Sequence, residues 1–288
     1  MGRFLRSWSL VKESYRVLKS TPNLAFFPVI SGIACLIATI SFFLPLALTS
    51  TFKSNSTQLT VVHYIVLFLF YFVTYFIVIF FNAGLVSCAH DALSGKPTTY
   101  HDGLRNASSR MGAILMWSLI SATVGTVLRA LSERVPMVGK LILALLGGAW
   151  SLVTYFVIPV MVIERVEPAP AIKRSFAMVR TTWGERVIGG LAMGSVFLVL
   201  MLAGFIPISL GIIAAVNGLW IVCVPLILIS LLYWMTLAII GSTLSGIFNT
   251  AVYIFASTGQ VPAGFSEEYV RMAFVQKQQG RMFGREPF

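Results

Sequence analysis

The chain has 288 residues, of which 57% are hydrophobic and only 11% charged, with a net charge of +11. A soluble domain carries about 25% charged residues, so composition excludes an ordinary soluble globular fold. The basic excess lies in loops, where it reads as membrane topology and anionic-lipid contact rather than nucleic-acid binding.

In chain order, residues 1–22 predict an amphipathic helix. Phe4, Trp8, Val11, Tyr15 and Leu18 recur at steps of four and three, marking one helical face. Arg3, Arg6, Ser9, Glu13 and Arg16 occupy the other face. Lys12 and Lys19 flank the apolar stripe, where their stems can snorkel. Aromatic residues beside basic ones suit a helix lying in the membrane interface. Packing on the cytoplasmic ends of the spans is an alternative, and the two are compatible.

Beyond this segment come runs without Asp, Glu, Lys or Arg: Thr21–Phe52, Ser54–His90, Met111–Leu128, Leu141–Ile163 and Val187–Ser266. Uncharged apolar runs of 18 or more residues are membrane-span candidates. Backbone in hydrocarbon must satisfy its own hydrogen bonds, so these runs predict helices. Alternating strands of the outer-membrane barrel type are absent from the pattern.

Six spans are expected: Leu24–Leu48, Val61–Cys88, Gly112–Leu131, Val138–Ile163, Val187–Ala214 and Leu219–Ile240. Gly241–Ala256 stays apolar and is expected to prolong the sixth helix, with a bend near Gly241-Ser242 or Gly246, rather than form a seventh span. Prolines 45, 159, 207 and 225 either break helices and free carbonyls to line a cavity or are tolerated as kinks.

The N-terminal segment, the second and fourth loops and the tail together hold 17 of the 21 Lys and Arg. The positive-inside rule therefore puts both termini in the cytoplasm of a multi-pass protein of the cytoplasmic membrane. No cleavable signal peptide is expected, because the first span is too long for its apolar region.

An internal repeat links the loops. Arg6-Ser7-Trp8-Ser9-Leu10-Val11-Lys12 matches Arg174-Ser175-Phe176-Ala177-Met178-Val179-Arg180, 168 positions later. Ser14-Tyr15 likewise matches Thr182-Trp183, and a weaker third copy lies at His101–Met111. The expected fold is all-α, with six transmembrane helices as three hairpins, each preceded by a cytoplasmic interfacial helix. Such units bury their faces against one another as parallel repeats.

The expected organisation is a single membrane domain over 1–288. It comprises an amphipathic helix (1–22), two hairpins (23–163), a loop with a second amphipathic helix (164–186), a third hairpin (187–256) and a cytoplasmic tail (257–288).

Chemistry is sparse. His90-Asp91 and His101-Asp102 could bind a divalent metal if all four converged. The favoured reading is that the first pair ends the second span and Asp102 caps a helix starting at Gly103. His63 is the one other histidine, and G-x-S-x-G, H-E-x-x-H and P-loop motifs are absent. No enzyme, metal or cofactor is expected. Cys35, Cys88 and Cys223 show no paired spacing and read as free apolar thiols.

With the hydrocarbon region nearly bare of ionisable groups, ion-coupled transport is disfavoured. Asn82, Asn217 and Asn249 are candidate cavity-lining groups, or else hydrogen-bond between helices. The main site candidate is a basic, aromatic collar for anionic headgroups: Arg6, Trp8, Lys12, Tyr15, Arg174, Phe176, Arg180 and Trp183.

Several motifs carry a resemblance. They include the opening Arg6–Lys12 run, Phe80-Phe81-Asn82-Ala83-Gly84-Leu85, Asp102-Gly103-Leu104-Arg105, Trp117–Gly125, Ala149–Val160 and Lys173-Arg174-Ser175. Over nearly its full length the chain resembles a family of prokaryotic six-helix membrane proteins of unknown function. It is also distantly similar to the membrane portions of some glycerophosphodiester phosphodiesterases, without room for their soluble barrel. The resemblance implies a fold but no activity.

The expected function is a non-enzymatic membrane protein that organises lipid or partner proteins, as a homo-oligomer or with a membrane-protein partner. The alternative is a transporter or channel for a small or lipidic solute.

Overall fold

The computed structural model describes residues 3–48, 61–182 and 197–265. The elements are α1 (Arg3–Ser20), a 3-10 turn (Pro22–Ala25), α2 (Phe26–Leu48), α3 (Val61–Leu93), α4 (Tyr100–Ser109), α5 (Met111–Ser132), α6 (Met137–Val153), α7 (Val157–Ile163), α8 (Pro168–Thr182), α9 (Phe205–Val216) and α10 (Trp220–Thr258). Residues 197–203 are also helical, and no strand occurs among the described residues.

Six stretches are long and apolar enough to cross a membrane: Pro22–Pro45, Ile65–Leu93, Met111–Ser132, Met137–Ile163, Phe197–Val216 and Trp220–Thr258. The protein is thus a multi-pass, all-helical membrane protein. Its packing explains why these helices need lipid. On α2, Ile30, Ile33, Ile37, Ile40 and Leu44 are exposed at helical spacing. On α5 the exposed residues include Leu115, Met116, Leu119 and Val127, whereas Ala113, Ile114, Trp117, Ser118 and Ala122 are buried. Large apolar side chains on the outside reverse the pattern of a soluble helix. Small residues at the contact let backbones approach closely.

The sixth span continues through Gly241–Ala256 as one helix of 39 residues. At 1.5 Å per residue it is about 58 Å long, against a hydrocarbon core of about 30 Å. One end must therefore leave the hydrocarbon. Buried residues concentrate between Thr243 and Tyr253. The helix stops at Gly259, whose left-handed φ of 71° no side-chain-bearing residue adopts cheaply.

The fourth span departs from expectation. Val138–Ile163 is two helices, α6 and α7, separated by turns at 154–156. Pro159 lacks an N–H and costs least in a first helical turn, which restarting the helix at Val157 provides. The fifth span is interrupted similarly at Gly204, shortly before Pro207. Its expected start at Val187 lies outside the described residues. Pro45 and Pro225 sit inside continuous helices.

The described residues pack as two units, 3–25, 93–95, 182 and 197–265 in one, and 26–48, 61–92 and 96–181 in the other. In the first, α1 and α9 both lie against α10. Tyr233 Oη donates to the Leu200 carbonyl (2.6 Å) and Trp234 Nε1 to the Met201 carbonyl (3.1 Å). Side chains of α10 thus reach carbonyls at the interruption, where the Met201 carbonyl also accepts from the Gly204 amide (3.2 Å). In the second unit, Phe27 is fully buried at the meeting of α3 and α4. A Cβ on Gly103 would lie 2.6 Å from both Phe27 Cζ and Cys88 Sγ, and 2.7 Å from the Gly84 carbonyl oxygen. Only glycine allows that approach.

Candidate functional site

The described residues of the expected collar fall on α1 in one unit and on α8 in the other, and α4 carries the weaker third copy of the repeat. Each starts or stops for a local reason. α1 ends where Pro22 follows, and the Thr21 amide closes on the Val17 carbonyl (3.0 Å). α8 opens on Pro168, a residue suited to a first helical position. α4 opens with a capping box: Thr99 is the N-cap, and Asp102 Oδ2 accepts from the Thr99 amide (3.1 Å) and hydroxyl (2.6 Å). Asp102 therefore sits inside the first turn and closes back on the cap, rather than capping a helix that starts at Gly103. These hydrogen bonds hold its carboxyl below the usual carboxylate range.

α8 has two distinct faces. Pro168, Ala171, Ser175 and Met178 are buried, whereas Lys173, Arg174, Phe176 and Arg180 are exposed. Ser175 does specific work at the break in the fourth span. Its Oγ donates to the Val153 carbonyl (2.6 Å) and accepts from the Phe156 amide (3.1 Å). One hydroxyl thus replaces the helical partners that the 154–156 turns remove.

The corner between α7 and α8 is tied by charge. Arg174 Nε approaches Glu164 Oε1 at 3.4 Å. Arg110 Nη2 donates to the Val166 carbonyl (2.7 Å) and meets Glu167 at 3.4 Å. Between these ties Arg165 takes a left-handed φ of 55°.

α4 docks on α3 by the same kind of contact. Asn106 Nδ2 donates to Ser87 Oγ (2.8 Å), and Cys88 Sγ donates to the Thr99 carbonyl (3.1 Å). Asn106 follows Arg105 as Ser175 follows Arg174 and Ser7 follows Arg6. On α4 and α8 the polar residue after the arginine is therefore a docking position.

On α1, Lys12, Tyr15, Arg16 and Lys19 are exposed, Tyr15 by 52%. Glu13, expected on the solvent side, is only 4% exposed, beside buried Ser14, Val17 and Leu18. The buried face is thus rotated from the aromatic stripe, and Tyr15 points away from the protein. Arg6 and Trp8 are carried by the α1 backbone, and Trp183 lies outside the described residues.

Of the expected cavity residues, two lie on the α9–α10 hairpin and one on α3. Asn217 ends α9 and its amide donates to the Ile213 carbonyl (2.8 Å) of its own helix. Asn249 lies about 45 Å of helix further along α10. Asn82 is half-buried on α3 in the other unit. His90 Nδ1 is 3.8 Å from Asp91 near the end of α3, and His101 is exposed. Among the described residues no group of three or more His, Cys, Asp or Glu side chains could hold a metal. Cys35, Cys88 and Cys223 are free thiols.

No curated protein matches the chain. Residues 61–265, from the start of α3 to beyond the end of α10, match a family of unknown function, DUF6159. The chain belongs to that family.

Proposed function

We propose that this is a non-enzymatic protein of the cytoplasmic membrane that organises lipid or partner proteins, as an oligomer, with both termini in the cytoplasm. The observation that carries this reading is the outward presentation of Tyr15 and Phe176, 52% and 50% exposed, among exposed Lys and Arg. A protein surface gains nothing from such rings in water. At a membrane surface the ring sits at headgroup level and the cations meet anionic lipid. The capture of the freed backbone groups at both helix breaks by side chains disfavours using those breaks as a polar pathway.

The test is lipid analysis of the full-length protein extracted from its native membrane, with mass measured in nanodiscs. Anionic lipid enriched over the bulk membrane, on more than one copy, is the expected result. Bound lipid of bulk composition on a monomer would refute the reading.

A further inference from the structure

A helix at a membrane surface binds headgroups only with side chains that protein contacts leave over. On α8, Arg174 is engaged by Glu164 at 3.4 Å, and Ser175 and Met178 are buried. Lys173, Phe176 and Arg180 remain exposed at positions i, i+3 and i+7. That spacing makes a row about 10.5 Å long on one side of the helix. On α1, Lys12, Tyr15 and Lys19 are exposed at the same spacing. The two rows lie on the same helical side but one heptad apart in the repeat, whose 168-residue offset carries Lys12, the first residue of one row, onto Arg180, the last of the other. α4 has no such row: Tyr100, His101, Asp102 and Arg105 mix both charges on its exposed side.

We propose that Lys12–Tyr15–Lys19 and Lys173–Phe176–Arg180 are two cation–aromatic–cation sites of the same spacing for the headgroups of anionic phospholipid. Arg174 is a clamp on the α7–α8 corner and not a headgroup ligand. This rests on the lipid-organising role above, and adds which residues hold the lipid and which do not. The ring at the centre of each row selects a membrane over a free anion, because it needs an apolar layer beneath the charge. Each aromatic residue has a cation on either side, so the rings enter the interface while the Lys and Arg stems snorkel to phosphate.

The test uses full-length protein reconstituted in vesicles of equal phosphatidylglycerol and phosphatidylcholine, then extracted for native mass spectrometry of retained lipid. Wild type is expected to retain phosphatidylglycerol preferentially. Each cation removed weakens headgroup association about fivefold. The variant K12Q/K19Q/K173Q/R180Q should therefore retain the two lipids equally, and R174Q should keep the wild-type ratio. The four positions are exposed, so elution and thermal midpoint should not change. A folded fourfold variant with the wild-type ratio would overturn the proposal, as would an R174Q variant that loses the preference to the same extent. A charge reversal confined to α8, K173E/R180E, must also reduce the ratio, and an unchanged ratio counts against the site. Wild type without any preference would refute the lipid-organising reading itself.

Discussion

Removing one oxygen at Ser175 should loosen the fourth span. Ser175 is fully buried, and its Oγ serves both the Val153 carbonyl at 2.6 Å and the Phe156 amide at 3.1 Å. Ser175→Ala removes both bonds at once and opens almost no cavity. A buried backbone group that loses its partner costs about 1–3 kcal/mol, so two give about 2–4 kcal/mol after local relaxation. Ser175→Cys, with a longer and weaker donor, should fall between the alanine variant and wild type.

Ser151→Ala is the control, because Ser151 Oγ donates to the Gly147 carbonyl of its own helix at 3.0 Å and is exposed. It should change stability by less than about 0.5 kcal/mol. The assay is thermal unfolding in nanodiscs, together with hydrogen exchange across residues 150–160. The expected order is wild type and S151A, then S175C, then S175A, with faster exchange at Phe156 in the alanine variant. Wild-type stability and wild-type protection at Phe156 in S175A would refute the argument that the hydroxyl holds the break.

Three further outcomes follow from local geometry. Gly103→Ala places a methyl 2.7 Å from the Gly84 carbonyl and should cost about 1–3 kcal/mol, whereas Gly112→Ala meets nothing within 4 Å and should be neutral or stabilising by up to about 1 kcal/mol. Chemical denaturation of the two variants separates them. Arg165 occupies a left-handed φ of 55°, so Arg165→Gly should be tolerated and Arg165→Val should lower the thermal midpoint. Asp102 has a depressed pKa, so its contribution to folding is present above the ordinary carboxylate pKa of about 3.9 and is lost as pH falls through the lower folded value. Exchange protection of the first turn of α4 should therefore fade in that acid range in wild type, while Asp102→Asn shows the weaker protection already at neutral pH.

Much of the architecture was legible in the chain before any coordinates. Charge-free apolar runs of this length have one solution in a bilayer, so all six spans were readable from composition along the sequence. The continuation of the sixth helix through Gly241–Ala256 was readable too, because no turn signal interrupts it. The 168-residue repeat located α1 and α8, and the motifs placed the chain in its family.

What the repeat could not settle was which side of those helices faces the protein. Periodicity ranks side chains by polarity, but in a membrane protein an exposed aromatic residue and a buried serine are both favourable. Hence Tyr15 and Phe176 face out, while Glu13 and Ser175 are buried. The break at 154–156 depends on Pro159 together with a hydroxyl that reaches it from 19 residues further along the chain. Sequence alone determined the spans, because hydrocarbon demands internally satisfied backbone. Only tertiary structure decided which backbone groups find a side-chain partner, since such a bond exists only where two separate segments meet.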